Sequence, residues 1–201
     1  MLFFGHIGVG TQLARPFAGR QGHFRLNEFL WVSLGTLMPD LLDKSVFYAN
    51  RAWAFAPDLI TSSRNFGHTA LMLLFLGFTA WVARLRPLAL LVLGMATHLA
   101  LDNLSDRLNG ASPSSAYIAL VFPLEGWRFA DFPFDSFREH LWAALTRPMT
   151  LGFEAAGLFL LGWEAWKQAY LGEVLGVMRH LRHEPKGRRR LRFLFELLRE
   201  R

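Results

Sequence analysis

The chain has no cysteine. Disulfide frameworks and thiolate metal sites are therefore excluded, and any metal must be held by histidine nitrogen and carboxylate oxygen. Lysine and arginine are missing from residues 1–10, ahead of the first apolar stretch. No cleaved signal peptide is expected, and membrane attachment is expected from within the mature chain. Charge is missing from Thr69–Ala83, and in Pro87–Leu101 the one ionisable group is His98. β-Hairpin signals, internal repeats and low-complexity tracts are missing too, which leaves an all-α reading. Apolar residues are in excess: 52% of the 201 residues are hydrophobic, against roughly 45–50% in soluble domains even with glycine counted.

The net charge of +6 sits at one end of the chain. Residues 179–201 hold nine basic and three acidic residues, whereas residues 1–178 balance at thirteen of each. The high isoelectric point belongs to a tail rather than to a domain surface, so no nucleic-acid partner is expected. Leu191, Leu194, Phe195 and Leu198 recur at helical spacing. Residues 186–201 are therefore predicted to form a basic amphipathic helix suited to an anionic membrane surface or a partner helix.

Before that tail, residues 3–19 read as a first helical segment with His6 near its start and Pro16 near its end. Residues 26–38 read as a second helix, capped by Asn27 and ended by Pro39, followed by a loop to about Pro57. The runs Thr69–Ala83 and Pro87–Leu101, joined by Arg84-Leu85-Arg86, predict an antiparallel αα-hairpin with a tight basic turn. Residues 136–146 read as a short helix and 149–183 as a long one. Each central run is about 15 residues, short of the roughly 20 that a bilayer crossing needs. Two readings stand open: a hairpin in or against a membrane, and a hairpin buried in a soluble bundle. Trp81 and Trp142 near helix ends suit an interfacial belt and a large core equally.

The hairpin makes a geometric prediction. Counted from Leu85, His68 lies as far before the turn as Asp102 lies after it, at about 25 Å along each arm. His98 precedes Asp102 by one turn on the same face. His68, His98 and Asp102 are thus expected at one level, and two histidines with a carboxylate form a zinc or iron ligand set. His23, His140, His180 and His183 are expected to play no part in it.

Four stretches extend this picture: Phe3-Phe4-Gly5-His6, Met38-Pro39-Asp40-Leu41-Leu42-Asp43-Lys44, Arg64-Asn65-Phe66-Gly67-His68-Thr69 and Thr97-His98-Leu99-Ala100-Leu101-Asp102. With Phe122-Pro123-Leu124-Glu125-Gly126-Trp127-Arg128-Phe129, and in this order, they resemble a bacterial family of membrane-bound metal-dependent hydrolases. That family is itself distantly similar to zinc-dependent phospholipase C. The resemblance covers about residues 1–130. It implies an all-α fold, a bacterial inner-membrane location, and His6, Asp40, His68, His98 and Asp102 as metal ligands. Ser63 stands where many relatives carry a further histidine, and no His-x-x-x-Glu pair follows. One or two ions are therefore expected rather than three.

The sequence thus reads as an all-α helical bundle around a central antiparallel αα-hairpin, embedded in or associated with a membrane. Residues 1–185 form the metal-binding domain and 186–201 the C-terminal helix. The expected function is hydrolysis of an ester or phosphoester, small or lipid-like, at a divalent metal such as zinc. Asp40 or Asp43 is the candidate base or second-metal ligand, and Arg64 and Lys44 are candidates for meeting negative charge. The alternative is a non-catalytic membrane protein whose His/Asp cluster is a structural metal site or polar network.

Overall fold

The computed structural model describes residues 2–18, 24–56, 60–110, 118–124, 126–127, 129, 134, 136–168 and 176. Among them every regular element is helical: α1 (Phe3–Ala18), α2 (Leu26–Trp53), one turn of 3-10 helix (Phe66–His68), α3 (Ala70–Val82), α4 (Arg86–Leu108), α5 (Phe137–Thr146) and α6 (Pro148–Gln168). The predicted tail helix and residues 169–183, apart from 176, lie outside the described residues, as do His23, His180 and His183.

The hairpin forms as its sequence dictates. Thr69 caps α3 by accepting the N–H of Met72 at 3.0 Å. At the far end Leu85 N–H reaches Ala80 O at 3.0 Å and Arg84 N–H reaches Trp81 O at 3.3 Å, the two bonds of a Schellman stop. Arg84 takes the left-handed conformation (φ 54°) that glycine fills in most such turns. A proline in the first turn then starts α4.

The second helix corrects the sequence reading. It does not stop at Pro39 but runs on to Trp53. Pro39 costs one backbone hydrogen bond, and tertiary contacts beyond it hold the helix. Asp43, Phe47 and Asn50 are all buried there. Asn50 closes the C-terminal end, its Nδ2 donating to Ala56 O at 3.1 Å and its Oδ1 accepting Ala56 N–H at 2.8 Å. Asn27 likewise is not the cap residue. Arg25 is, and its backbone N–H donates to Glu28 at 3.0 Å.

Glycines set how closely the helices approach. A Cβ on Gly35 would lie 2.1 Å from Leu91 O, and one on Gly94 would lie 2.2 Å from Val32 O, so α2 and α4 cross with their backbones in contact. α1 and α6 do the same at Gly8 and Gly157, where a Cβ on Gly8 would lie 2.1 Å from Gly157 O. These two helices run parallel. Glu154 accepts the N–H groups of Leu2, Phe4 and Gly5 at 2.8, 2.8 and 3.1 Å, and ten residues past Gly5 on α1 Arg15 grips Glu164 at 2.5 Å. A carboxylate on the free N–H groups of a helix start is favourable both as hydrogen-bond acceptor and against the helix dipole.

The two arms of the hairpin differ: α4 packs into the bundle, whereas α3 turns most of its surface outward. In α3 only Ala80 is buried, while Leu74, Phe75, Phe78 and Trp81 are 69%, 63%, 62% and 75% exposed. An unbroken apolar face of this kind marks a lipid or partner surface. By length and composition α4 can cross a bilayer, whereas α3, at 13 residues, spans only about 20 Å.

Candidate metal centre

α4 supplies two of the site's residues. His98 and Asp102 sit one turn apart on the face against α1 and α2, at 0% and 5% exposure. The glycine crossing brings the α2 backbone near enough for Thr36 O to take His98 Nδ1 at 2.7 Å. A carbonyl only accepts, so Nδ1 carries the proton and a neutral His98 presents a lone pair at Nε2.

The segment before α3 supplies the third. It wraps around Asp43, one turn past Pro39 on α2. Asp43 accepts the backbone N–H groups of Asn65, Gly67 and His68 at 2.7, 2.9 and 3.1 Å. A Cβ on Gly67 would lie 3.0 Å from Asp43 Oδ1 and 3.1 Å from Pro39 O, which accounts for the glycine before His68. The same carboxylate takes His68 Nδ1 at 2.7 Å. Asp43, read from the sequence as a base or second-metal ligand, therefore faces the loop and orients His68 from behind.

His68 and His98 then point their remaining nitrogens at one another, 3.2 Å apart. Asp40 Oδ1 lies 3.6 Å from His68 Nε2 and 3.9 Å from His98 Nε2, and Asp102 Oδ2 lies 3.6 and 3.7 Å from the same atoms. These four residues each offer one ligand atom within 4.8 Å of the others, a group that could hold a metal ion. Neighbouring ligands around tetrahedral zinc, at bond lengths of 2.0–2.1 Å, stand about 3.3 Å apart. The two imidazole nitrogens stand at that spacing, and the carboxylate oxygens lie 3.6–3.9 Å from them, wider than a closed shell.

His6 joins from α1. Its ring stacks on His98 with centroids 3.9 Å apart, and its Nε2 lies 3.2 Å from Asp102 Oδ1, the oxygen facing away from the other two histidines' meeting point. Among the described residues neither of its ring nitrogens finds an aligned hydrogen-bond partner, although it is 1% exposed. The structure thus assembles all five residues expected as ligands, with His6 just outside the group of four.

Cations frame the cluster. Arg64 donates to Asp102 Oδ2 at 2.8 Å and pairs with Asp106. Lys44 holds Asp40 Oδ2 at 2.6 Å. Among the described side chains, four carboxylates (Asp40, Asp43, Asp102 and Asp106) share these two cations, so the cluster favours more positive charge while its histidines are neutral. His68 shows the same demand. Burial works against its charged form, yet hydrogen bonds to Asp102 and Asp43 and the charge of Asp40 outweigh burial and raise the imidazole above its ordinary value.

The four clustered ligand candidates are unequally exposed. The side chains of His98, His68 and Asp102 are 0%, 4% and 7% exposed, while Asp40 and Lys44 are 15% and 24% exposed. His140 on α5 flanks Asp40 and Lys44. Burial, then the charge of Lys44, push its imidazole down to about 4. His140, expected to play no part, stands beside Asp40 and Lys44, and nothing local in the sequence singles out Thr36, Asp106 or Glu154. Three act through contacts far away in sequence, and Thr36 acts through its backbone.

Comparison with known proteins bears on location rather than chemistry. The YdjM inner membrane protein family matches residues 1–178. No curated protein and no solved structure matches. The match spans every helix described, ends before the basic tail, and agrees with the outward apolar face of α3. The chain belongs to the YdjM inner membrane protein family.

Proposed function

We propose that this protein is a metal-dependent hydrolase of the inner membrane. One divalent ion, zinc, would be held by His68, His98 and Asp102, and the substrate would be an ester or phosphoester of small or lipid-like character. The observation that carries this reading is the convergence of two histidine nitrogens at 3.2 Å, each ring fixed from behind, beside two carboxylates. In the metal-free protein a proton on His68 Nε2 bridges the two nitrogens; with both rings neutral the same place, flanked by two carboxylates, suits a metal cation. Zinc suits a set of imidazole and carboxylate ligands without thiolate.

A bound metal would polarise a substrate oxygen and lower the pKa of its water towards about 7. The chain's own residues do the rest. Asp43 and Thr36 fix the two imidazoles. Arg64 anchors Asp102. Asp40, on the accessible side, is placed to accept a proton from water entering there, and Lys44 beside it to meet negative charge on the substrate. His6 and the other oxygen of Asp102 would serve a second ion, if two are bound.

The spacing also favours a second reading. If Asp40 is itself a ligand, the four-residue set is closed and the metal is structural. Asp40→Asn separates the two. The hydrolase reading expects this variant to retain its metal and lose turnover of bis-p-nitrophenyl phosphate or p-nitrophenyl acetate. Loss of the metal with Asp40→Asn, or no turnover by metal-loaded wild type on either ester class, favours the structural site.

A further inference from the structure

A cavity of about 150 Å³ opens beside the cluster, between the start of α1, the middle of α2 and α5. Its walls are apolar: Leu2, Phe3, Leu41, Phe137 and Leu141. Its polar end is Asp40, the most accessible of the four clustered metal-ligand candidates, with Lys44 beside it. His140 closes that end from α5. An enclosed apolar space of roughly this volume holds one benzene ring. We infer that this cavity is a substrate subsite. It takes the apolar group next to the anionic head of a phosphoester-type ligand and sets that head between Lys44 and the metal.

The placement carries the inference. An apolar cavity on a membrane protein is ordinary where it faces lipid. This one ends at Asp40, the most exposed of the four residues that could share a metal, while the side chains of His98, His68 and Asp102 are sealed to 7% exposure or less. A ligand whose anion meets Lys44 therefore has one direction for its apolar part, along Leu41 and Leu141 towards Phe137. The volume admits a ring or about five methylenes, so it reads the group adjoining the head and not a whole acyl chain. A pocket of apolar walls with a few convergent polar groups is the usual form of a small-molecule site.

The inference rests on the open-site reading above, and the test keeps the two apart. Zinc-loaded full-length protein in detergent is titrated with methylphosphonate and with phenylphosphonate, which share a head and differ by one ring. Phenylphosphonate is expected to bind about tenfold tighter. Leu141→Trp and Leu41→Trp, which fill the cavity from two walls, should abolish that preference while zinc content and methylphosphonate binding stay at the wild-type level. Dihexanoyl phosphatidate below its micelle concentration distinguishes the natural sources. Competition with phenylphosphonate indicates a membrane lipid, and none indicates a soluble aryl or alkyl phosphate. Equal binding of the two phosphonates by wild type, or a preference that survives both tryptophan variants, overturns the subsite and leaves the metal centre standing. Failure of zinc-loaded protein to bind either phosphonate overturns the open site and the subsite with it.

Discussion

His68 and His98 face each other nitrogen to nitrogen at 3.2 Å, and each is locked in that pose by a partner on α2: Asp43 behind His68, the Thr36 carbonyl behind His98. One helix thus aims both imidazoles, although they come from a loop and from α4. The place between the rings takes a proton in the metal-free protein and, with both imidazoles neutral, suits a metal cation.

Asp43 should control metal affinity without touching the metal. Partners behind a ligating histidine typically contribute about 10–100-fold in affinity. Asp43→Asn removes the charge behind His68 and turns part of the acceptor set into a donor. Zinc affinity, measured by competition with a chromophoric chelator, should fall by about that factor in protein that still folds. Unchanged affinity would show that His68 is not a ligand.

The pH dependence of stability should have opposite signs with and without metal. In the metal-free protein His68 is raised above its ordinary value of 6.5, so its charged form contributes stability in full below that pH. That contribution is lost as pH rises through the higher folded-state value. A metal needs the neutral ring, so protons compete with it and zinc stabilises more as pH rises. The difference in Tm between zinc-loaded and chelator-stripped protein should therefore widen from pH 6 to pH 9. A difference that narrows would contradict this assignment.

The glycine crossing should be as important to the site as its ligands. Gly94→Ala would drive a methyl group to 2.2 Å from Val32 O and push α4 away from Thr36. Overpacking of this kind costs about 1–3 kcal/mol, and here it should also lower zinc content. Gly152→Ala meets nothing within 4 Å and serves as the control, with zinc content unchanged and stability raised by up to about 1 kcal/mol.

One end of the bundle should face the cytoplasm. Arg84 and Arg86 at the hairpin turn, Arg25 before α2 and Arg15 late in α1 gather there, tied by the Arg86–Glu28 and Arg15–Glu164 pairs. Short basic segments stay inside. Gln168 ends α6 at this same end, so the tail should share its side. The natural lack of cysteine gives a clean background. In spheroplasts Leu85→Cys and Arg190→Cys should resist an impermeant maleimide, while Leu124→Cys, 88% exposed at the metal end, should react. The reverse pattern would invert the topology.

What the sequence revealed follows from what local spacing can encode. Counting residues from Leu85 was enough to bring His68 level with Asp102, and a four-residue step placed His98 on the same face. His6 and Asp40 were reached through resemblance, because nothing local ties residue 6 to residue 102. The continuation of α2 past Pro39 was not legible. Proline argues for a helix end, and the Asp43 cradle that outweighs it comes from a loop more than twenty residues away. Thr36 was invisible because a backbone carbonyl leaves no mark on residue type. Gly35 and Gly94 permit a backbone crossing that no local pattern announces, because each partner lies on the other helix.

The central claim is that this cluster holds a metal, and the most direct test is the metal content of the protein itself. Wild type is purified in detergent without chelator and analysed by inductively coupled plasma mass spectrometry, beside His98→Ala and Asp102→Ala variants confirmed to be folded by circular dichroism. The account predicts at least one divalent ion per wild-type chain, zinc foremost, and a clear loss in both variants. A wild-type protein that carries no stoichiometric metal and takes up none from added zinc would contradict it.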